Sequence, residues 1–129
     1  MRKVLWISRH QMTPSQMSDL ERIMGDGVEL VPVRETVTDL QKLAGSLSQV
    51  DAVAAVLPTE LLAQLVAMAN KQGIPVIQAV SERRPSGKIV TLADGRQEPE
   101  MLFVHAGWQQ IVKLELETKD AVNIVAIIG

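Results

Sequence analysis

Residues 3–25 read KVLWISRHQMTPSQMSDLERIMG, and the order of features within them indicates the class of fold. Four consecutive apolar residues, Val4 to Ile7, are typical of a strand buried on both faces. Thr13 then predicts a helix N-cap, with Pro14 at the first helical position and Gln16 where a reciprocal capping box requires it. A buried strand followed by a capped helix is the repeating unit of a parallel α/β sheet.

The same alternation recurs along the chain. Further strands are expected over residues 28–33, 52–57 and 74–80, with a short helix capped by Thr38 or Asp39 and another helix over residues 61–70. Proline cannot donate to a central ladder, so Pro32 indicates that the second strand has an edge or bulged position. We therefore predict one Rossmann-like α/β domain over residues 1–129, with an open, mostly parallel sheet flanked by helices.

The pattern changes after the fourth strand, and residues 81–120 are predicted to form a β-hairpin and edge-strand extension. An Asp94-Gly95 turn signal lies between two strand-like segments, which favours a hairpin. Residues 111–117 alternate apolar and charged side chains, as in a half-exposed strand at an edge or a dimer contact. The last nine residues, 121–129, form an apolar tail far shorter than the roughly 20 residues needed to cross a bilayer.

Composition excludes several functional classes. Of the 129 residues, 47% are apolar and 22% are charged, which argues against a disordered chain or a membrane protein. The net charge of −2 provides no global positive field for duplex nucleic acid, so any anion site must be local. Cysteine and tyrosine are absent from the sequence, which excludes disulfides, zinc-thiolate sites, thiol nucleophiles and phenolic acids.

Two further expectations concern bound groups and location. The two histidines have no carboxylate at ligand spacing, and the chain has neither a Walker loop nor a dinucleotide fingerprint, so no metal and no cofactor are expected. The apolar run at the N-terminus is too short for a signal peptide, which predicts a cytoplasmic protein.

The candidate site residues follow the strands, because ligands of open α/β sheets bind beyond the carboxyl ends of the strands. Ser8, Arg9 and His10 follow the first strand, and Thr13 and Gln16 start the next helix. A helix N-terminus favours phosphate, and Arg9 and His10 would add charge-assisted donors. His10 is preferred to His105 as the acid or base, since His105 ends an apolar strand pattern and fits a core position.

Other strand ends and a basic segment add candidates. The remaining ligand-binding candidates are Thr36, Thr59, Arg83 and Arg84. The two arginines belong to a segment, residues 81–88, that is rich in cations and hydroxyls and is predicted to be an anion-binding loop. Simpler roles stay open for all these residues, because Thr13, Gln16 and Thr59 fit helix caps and the arginines fit solvated positions.

Residues 4–16 resemble a group of small stand-alone CRISPR-associated proteins, which open with a strand, a Ser-His pair, a Thr-Pro and a Gln. The corresponding features here are Ser8, His10, Thr13-Pro14 and Gln16, with Arg9 inserted between the serine and the histidine. Members of that group are related to the Rossmann-like sensor domains of type III CRISPR systems, and several are ring nucleases.

The resemblance implies a function that the residue pattern alone does not supply. It implies a metal-independent phosphodiesterase that cleaves a cyclic oligoadenylate at a homodimer interface and so switches off type III CRISPR signalling. In that scheme Ser8, Arg9 and His10 hold or act on the ribose-phosphate, Thr59 lines the floor, and Arg83 or Arg84 caps the phosphate.

Two alternatives stay open at this point. One is a non-catalytic module of the same fold that binds or senses a nucleotide messenger through the same loops. The other is a structural protein that uses the edge strand and the apolar tail to bind a partner.

Overall fold

In a computed structural model, which describes residues 1–118 and 121, the chain forms one five-stranded sheet with helices on both sides. In chain order the elements are β1 (Arg2–Ile7), α1 (Pro14–Met24), β2 (Val28–Val33), a 3₁₀ helix (Leu40–Leu43) continuing into α2 (Ala44–Leu47), β3 (Ala52–Ala55), α3 (Thr59–Lys71), β4 (Val76–Thr91) and β5 (Gln97–Gln110). The strand order is β2-β1-β3-β4-β5, parallel except for the antiparallel pair β4–β5. The predicted α/β class, mostly parallel sheet and C-terminal hairpin are confirmed.

The buried strand β1 divides the core into two layers. Leu5 and Ile7 pack on the side of the sheet that α2 and α3 cover, whereas Val4 and Trp6 pack on the side of α1. All four side chains are buried. The continuous apolar run in the sequence therefore reflects a strand covered on both faces.

The start and end of α1 follow the sequence signals. The Thr13 hydroxyl accepts a hydrogen bond from the Gln16 backbone N–H at 3.2 Å, and the Gln16 side-chain oxygen accepts one from the Thr13 N–H at 3.0 Å. Gly25 ends the helix in the left-handed conformation, with φ of 73°. The predicted capping box is confirmed.

The position of β2 at the sheet edge is also confirmed. Pro32 lies opposite Trp6 in the parallel β1–β2 ladder, and β2 has a neighbour on one side only within the described residues. A strand at this position needs donors toward one neighbour only, so a proline is tolerated there.

Two predictions for the C-terminal part are wrong. Residues 81–88 are not a loop, because residues 81–85 pair with β5 and residues 86–88 form an irregularity within β4, which continues to Thr91. The ladder bonds come from backbone groups, so the polar side chains of this segment do not prevent a strand. The predicted strand over residues 111–117 is irregular, since Ile111 and Leu114 instead turn toward the core on the α3 side. Of the predicted tail, only Ala121 lies within the described residues.

We call residues 81–105, the part of β4 and β5 beyond the parallel sheet together with their turn, the arm. The arm reverses at the predicted Asp94-Gly95 turn, where Gly95 has a φ of 87°. At its base, the Trp108 indole N–H donates to the Gln16 carbonyl at 3.1 Å and its ring meets that of Trp6 edge-on. The arm is thereby anchored to the first turn of α1.

Candidate functional site

A cavity opens at the point where the connections from the sheet diverge. From β1 the chain passes to β2 on one side, while β3 lies on the other side, so the carboxyl ends of β1 and β3 form the topological switch point of this sheet. The cavity has a volume of about 430 Å³ and is lined by the residues after the three strands, namely Ile7, Ser8, Arg9, Glu35, Thr36, Val37, Thr38, Val56, Leu57, Pro58 and Leu61. We call it the switch-point cavity.

Three of the predicted site residues meet in this cavity. The Arg9 guanidinium donates a hydrogen bond to the Thr36 hydroxyl, which connects the loop after β1 to the loop after β2. Ser8 is buried, and its hydroxyl accepts the His10 backbone N–H at 3.1 Å. A guanidinium carries five N–H donors, so the bond to Thr36 leaves most of them for a ligand.

The start of α3 supplies a second kind of anion-binding group. Its N-cap position is Pro58, and no side chain in the described part of the chain caps the helix there. The first-turn N–H groups of residues 59–61 therefore lack the side-chain acceptor that the capping box gives to α1. Pro58 and Leu61 line the cavity, so the positive end of the α3 dipole lies beside it.

The rest of the lining is mainly apolar, with one acidic side chain. Ile7, Val37, Val56 and Leu57 provide surfaces of the kind that pack against the flat face of a nucleobase. The Glu35 carboxylate is the acidic group among the lining residues, and it can accept a hydrogen bond from a ribose hydroxyl or a base amino group. Among the described residues, the cavity thus combines a cation, a carboxylate, hydroxyls and apolar walls.

The other predicted site residues are not among those that line this cavity. Thr13 and Gln16 line a second cavity of about 500 Å³ between α1 and the base of the arm, with their side chains engaged in the capping box. His10 is exposed in the loop after β1, and Thr59 is the exposed first residue of α3.

The two predicted arginines lie on the arm. Arg83 lies over the Phe103 ring at 5.9 Å, and Arg84 pairs with Glu82 at 2.8 Å. The structure therefore brings Ser8, Arg9 and Thr36 together and places Arg83 and Arg84 outside the switch-point cavity.

Sequence reasoning missed a hydrogen bond between His105 and Asp19 at the base of the arm. His105 Nε2 lies 2.9 Å from the Asp19 carboxylate, which also accepts a hydrogen bond from Arg22 at 2.7 Å. The bond from His105, and secondarily that from Arg22, lowers the pKa of Asp19 below its ordinary value. The two residues are 86 positions apart, so no local signal could have paired them.

Sequence reasoning also missed the uncapped start of α3 and the part played by Glu35. For α3 a signal existed, because Leu57-Pro58-Thr59 has proline where an N-cap residue with a side-chain acceptor is usual. Glu35 is one position from the predicted Thr36 and lines the same cavity, but nothing in the sequence singled it out as a site residue.

Within residues 1–118 and 121 we find no cluster of three histidine, aspartate or glutamate side chains arranged to hold a metal ion. No helix in this part of the chain is long and apolar enough to cross a membrane. Comparison with known proteins finds no family model that matches the chain and no match to a protein of curated function.

Proposed function

We propose that the protein binds a cyclic oligoadenylate at the switch-point cavity and cleaves it without a metal ion. The observation that carries the proposal is the position of Arg9, held by Thr36 beside the uncapped start of α3. A guanidinium and free helix N–H groups converging on one cavity are suited to a phosphodiester. The resemblance of residues 4–16 to ring nucleases supplies the identity of the ligand.

The cavity suits one nucleotide of such a ring. Its volume of about 430 Å³ falls within the range of about 300–1,000 Å³ typical of small-molecule sites. The apolar walls would hold the adenine and Arg9 the phosphate. A ring of several nucleotides needs more than one such cavity, and two copies of the chain related by a two-fold axis would present the same loops twice.

The proposed reaction is an internal transfer of the phosphoryl group. The ribose 2′-oxygen attacks the adjacent phosphorus, the bond from phosphorus to the 5′-oxygen breaks, and the proton of the 2′-hydroxyl leaves as the 5′-oxygen gains one. The products are a linear oligoadenylate with a 2′,3′-cyclic phosphate and a free 5′-hydroxyl. Arg9 would stabilise the charge that develops on the phosphoryl oxygens, and alignment of the ribose would supply much of the rate.

His10 is the proposed proton donor to the 5′-oxygen. It follows Arg9 directly in the loop, and its imidazole is exposed. Its backbone is fixed, because the His10 carbonyl accepts the Trp6 indole N–H at 2.9 Å and its N–H donates to Ser8. An imidazole can both give and take a proton, which is what this step needs.

One observation favours a second candidate, binding without cleavage. The residues that line the switch-point cavity do not include His10, so within the described residues the cavity itself holds no imidazole. A protein that sequesters or senses the nucleotide needs only Arg9, the α3 start and the apolar walls.

Incubation of the purified protein with cyclic oligoadenylates of several ring sizes, in excess chelator, tests the proposal. We expect a linear product ending in a 2′,3′-cyclic phosphate, identified by mass spectrometry, and a large loss of turnover in His10→Ala with little loss of binding. Binding without any product would establish the second candidate. An intact ring together with no measurable binding would refute both.

A further inference from the structure

The second cavity, between α1 and the base of the arm, contains a histidine that no step of the proposed function uses. The His105 side chain is 9% exposed and lines this cavity. Its Nε2 lies 2.9 Å from the Asp19 carboxylate, and within the described residues its Nδ1 is buried without a hydrogen-bond partner. A buried polar atom without a partner is rare in folded proteins and costs free energy, which makes this ring unusual.

The contact with Asp19 determines which nitrogen of the ring carries the proton. An ionised carboxylate only accepts hydrogen bonds, and the bonds from His105 and Arg22 hold the pKa of Asp19 below its ordinary value of 3.8. Nε2 is therefore the donor, and in the neutral imidazole Nδ1 presents its lone pair. A carboxylate orients the base of serine hydrolases in the same way, with the two nitrogens exchanged.

Ser81 is the hydroxyl-bearing residue opposite this histidine. Ser81 and His105 are direct partners in the antiparallel β4–β5 ladder, and both line the second cavity. Directly opposite side chains lie on the same face, with Cβ atoms about 4.5–5.5 Å apart. Ser81 is also exposed, so a molecule in the cavity can reach its hydroxyl.

The burial of Nδ1 favours a side chain as its hydrogen-bond partner. An atom closed to solvent is also closed to a donor group of a bound molecule, whereas a neighbouring hydroxyl can turn toward it about one bond. In unliganded sites, hydrogen bonds between a nucleophile and its base are often long and shorten when substrate binds. Among the hydroxyls that line the cavity, that of Ser81 is the one placed across the ladder from His105.

The start of α1 places a backbone donor at the same cavity. The capping box uses the N–H groups of Thr13 and Gln16, and the Met17 N–H donates to the Thr13 carbonyl. Pro14 has no N–H, so in the described part of the chain the Ser15 N–H is the first-turn donor left over, and Ser15 lines the cavity. A backbone N–H at the positive end of a helix stabilises negative charge that develops on an oxygen.

The walls of the second cavity indicate the kind of molecule that fits. Of the described residues that line it, none has a lysine, arginine, aspartate or glutamate side chain. Val80, Phe103 and Val104 supply apolar surface, and the volume of about 500 Å³ is typical of small-molecule sites. This cavity therefore suits a small neutral molecule with an apolar part, whereas the switch-point cavity with Arg9 suits a phosphate.

We propose that Ser81, His105 and Asp19 form a nucleophilic site that cleaves a small neutral ester with an apolar acyl group. Ser81 Oγ attacks the carbonyl carbon, its proton passes to His105 Nδ1, and the Ser15 N–H donates to the carbonyl oxygen as it becomes negative. The bond from the carbonyl carbon to the alcohol oxygen breaks, and the alcohol takes the proton from Nδ1. Water then attacks the acyl-serine, its proton returns through Nδ1 to Ser81 Oγ, and the carboxylic acid leaves.

This site goes beyond the proposed function and does not depend on it. Neither Ser81, His105 nor Asp19 lines the switch-point cavity. Asp19 acts through His105 and is therefore a positioning residue. Reaction at Ser81 and cleavage of a cyclic oligoadenylate can each succeed or fail without the other.

Covalent labelling of the full chain with an alkyl fluorophosphonate tests the nucleophile. Ser81 Oγ forms a bond to phosphorus, fluoride leaves and the proton goes to Nδ1, so the label stays on the protein. We expect one label per chain, located at Ser81 by peptide mass spectrometry. Ser81→Ala should lose the label, whereas Ser18→Ala, which removes an exposed serine hydroxyl from α1, should keep it.

Variants at His105 and Asp19 test the base. His105→Ala should slow labelling by at least about 100-fold, and added imidazole should restore part of the rate, which a purely structural role of the ring would not allow. Asp19→Asn should slow labelling by at least about 10-fold, because the amide can donate to Nε2 and leave the proton on Nδ1. Asp19→Glu keeps the carboxylate and should recover part of the rate. Circular dichroism checks that each variant is folded.

Two nitrophenyl esters test the substrate class. The wild type should hydrolyse p-nitrophenyl butyrate, which is neutral, and Ser81→Ala should not. The p-nitrophenyl monoester of succinate carries a negative charge on its acyl group and should react more slowly than the butyrate.

A wild type that takes no label at Ser81 would overturn the inference and leave the contact between Asp19 and His105 as an anchor for the arm. A label at Ser81 that forms at the same rate in His105→Ala would overturn it as well. Labelling without hydrolysis of either nitrophenyl ester would overturn the assignment of an ester substrate.

Discussion

The proposed recognition of the ligand depends most on Arg9. It contributes the positive charge among the side chains that line the switch-point cavity, and Thr36 fixes its guanidinium. Arg9→Ala should weaken cyclic oligoadenylate binding by about 10- to 100-fold, since a hydrogen bond to a charged group contributes roughly 1.5–3 kcal/mol. Isothermal titration calorimetry measures the change.

The matched control for this prediction is Arg2→Ala, which removes the same side chain at the opposite end of β1. Arg2 makes a 3.9 Å ion pair with Asp51 on the surface, and such pairs contribute little to stability. Equal affinities for the Arg9 and Arg2 variants would contradict the assignment.

The hydrogen bonds to Asp19 predict how the stability of the protein changes in acid. Because its folded pKa lies below its ordinary value of 3.8, the bonds from His105 and Arg22 stabilise the fold above that value. This contribution is lost as the pH falls through the lower, folded pKa. The melting temperature of the wild type should therefore drop below about pH 4, and that of Asp19→Asn should drop less over the same interval.

Glu60→Gln serves as the control for the acid prediction, because Glu60 lies at the exposed start of α3, on a different helix from Asp19. Identical pH profiles for the wild type and Asp19→Asn would show that the His105 contact does not stabilise the folded state.

At the residue level, the sequence predicted only those site residues whose positions depend on local structure. Ser8 and Arg9 follow a strand whose end was evident, and the end of a parallel strand marks the ligand edge of the sheet. Arg83 and Arg84 depended instead on how far β4 continues, which is set by pairing with residues 101–105. Such pairing is not encoded in the polar residues 81–88 themselves.

The N-terminus of α1 is capped by side chains and that of α3 is not, so we expect the two helix starts to have different roles. The N-terminus of α1 is satisfied by its own capping box, so Thr13 has a structural role there. Thr13→Ala should lower the free energy of unfolding by about 1 kcal/mol, whereas Thr13→Ser should retain most of it. Urea denaturation measures both variants.

Measuring ligand affinity distinguishes a helix-capping role of Thr13 from a role in binding the ligand. If the α1 start only caps the helix, Thr13→Ala should bind cyclic oligoadenylate with nearly the affinity of the wild type under conditions where both are folded. A large loss of affinity with unchanged stability would instead place the ligand at α1.

The uncapped start of α3 leads to the opposite prediction. An aspartate at position 58 would accept the free N–H groups of the first turn, so Pro58→Asp should be more stable than Pro58→Ala by about 1 kcal/mol. The same carboxylate would compete with a ligand phosphate. Pro58→Asp should therefore bind the ligand more weakly than Pro58→Ala, and equal affinities would contradict the role given to α3.

At the level of elements, the strands and helices with strong local signals could be predicted. The β1 run, the capping box and the Asp94-Gly95 turn depend on neighbouring residues, and the structure contains all three. The prediction for residues 111–117 failed. The alternation of apolar and charged residues predicted a strand there, but contacts with distant residues determine the path of the backbone. Asn70 donates to the Val112 carbonyl at 3.0 Å, a contact across 42 positions.

For the whole molecule, the strand order separates the switch-point cavity from the arm. The switch-point cavity lies between the ends of β1 and β3, whereas the arm extends from β4 and β5. Substitutions in the arm, such as those at Arg83 and Arg84, therefore lie outside the lining of the switch-point cavity.

Ligand recognition as proposed here depends on binding in the switch-point cavity. Amide chemical shifts of ¹⁵N-labelled protein, followed during titration with a cyclic oligoadenylate in excess chelator, show whether the ligand binds there. We predict that the largest changes occur at Ser8, Arg9, Thr36 and residues 59–61. Changes confined to Ser15, Gln16 and the base of the arm, or no changes at saturating ligand concentration, would contradict the claim.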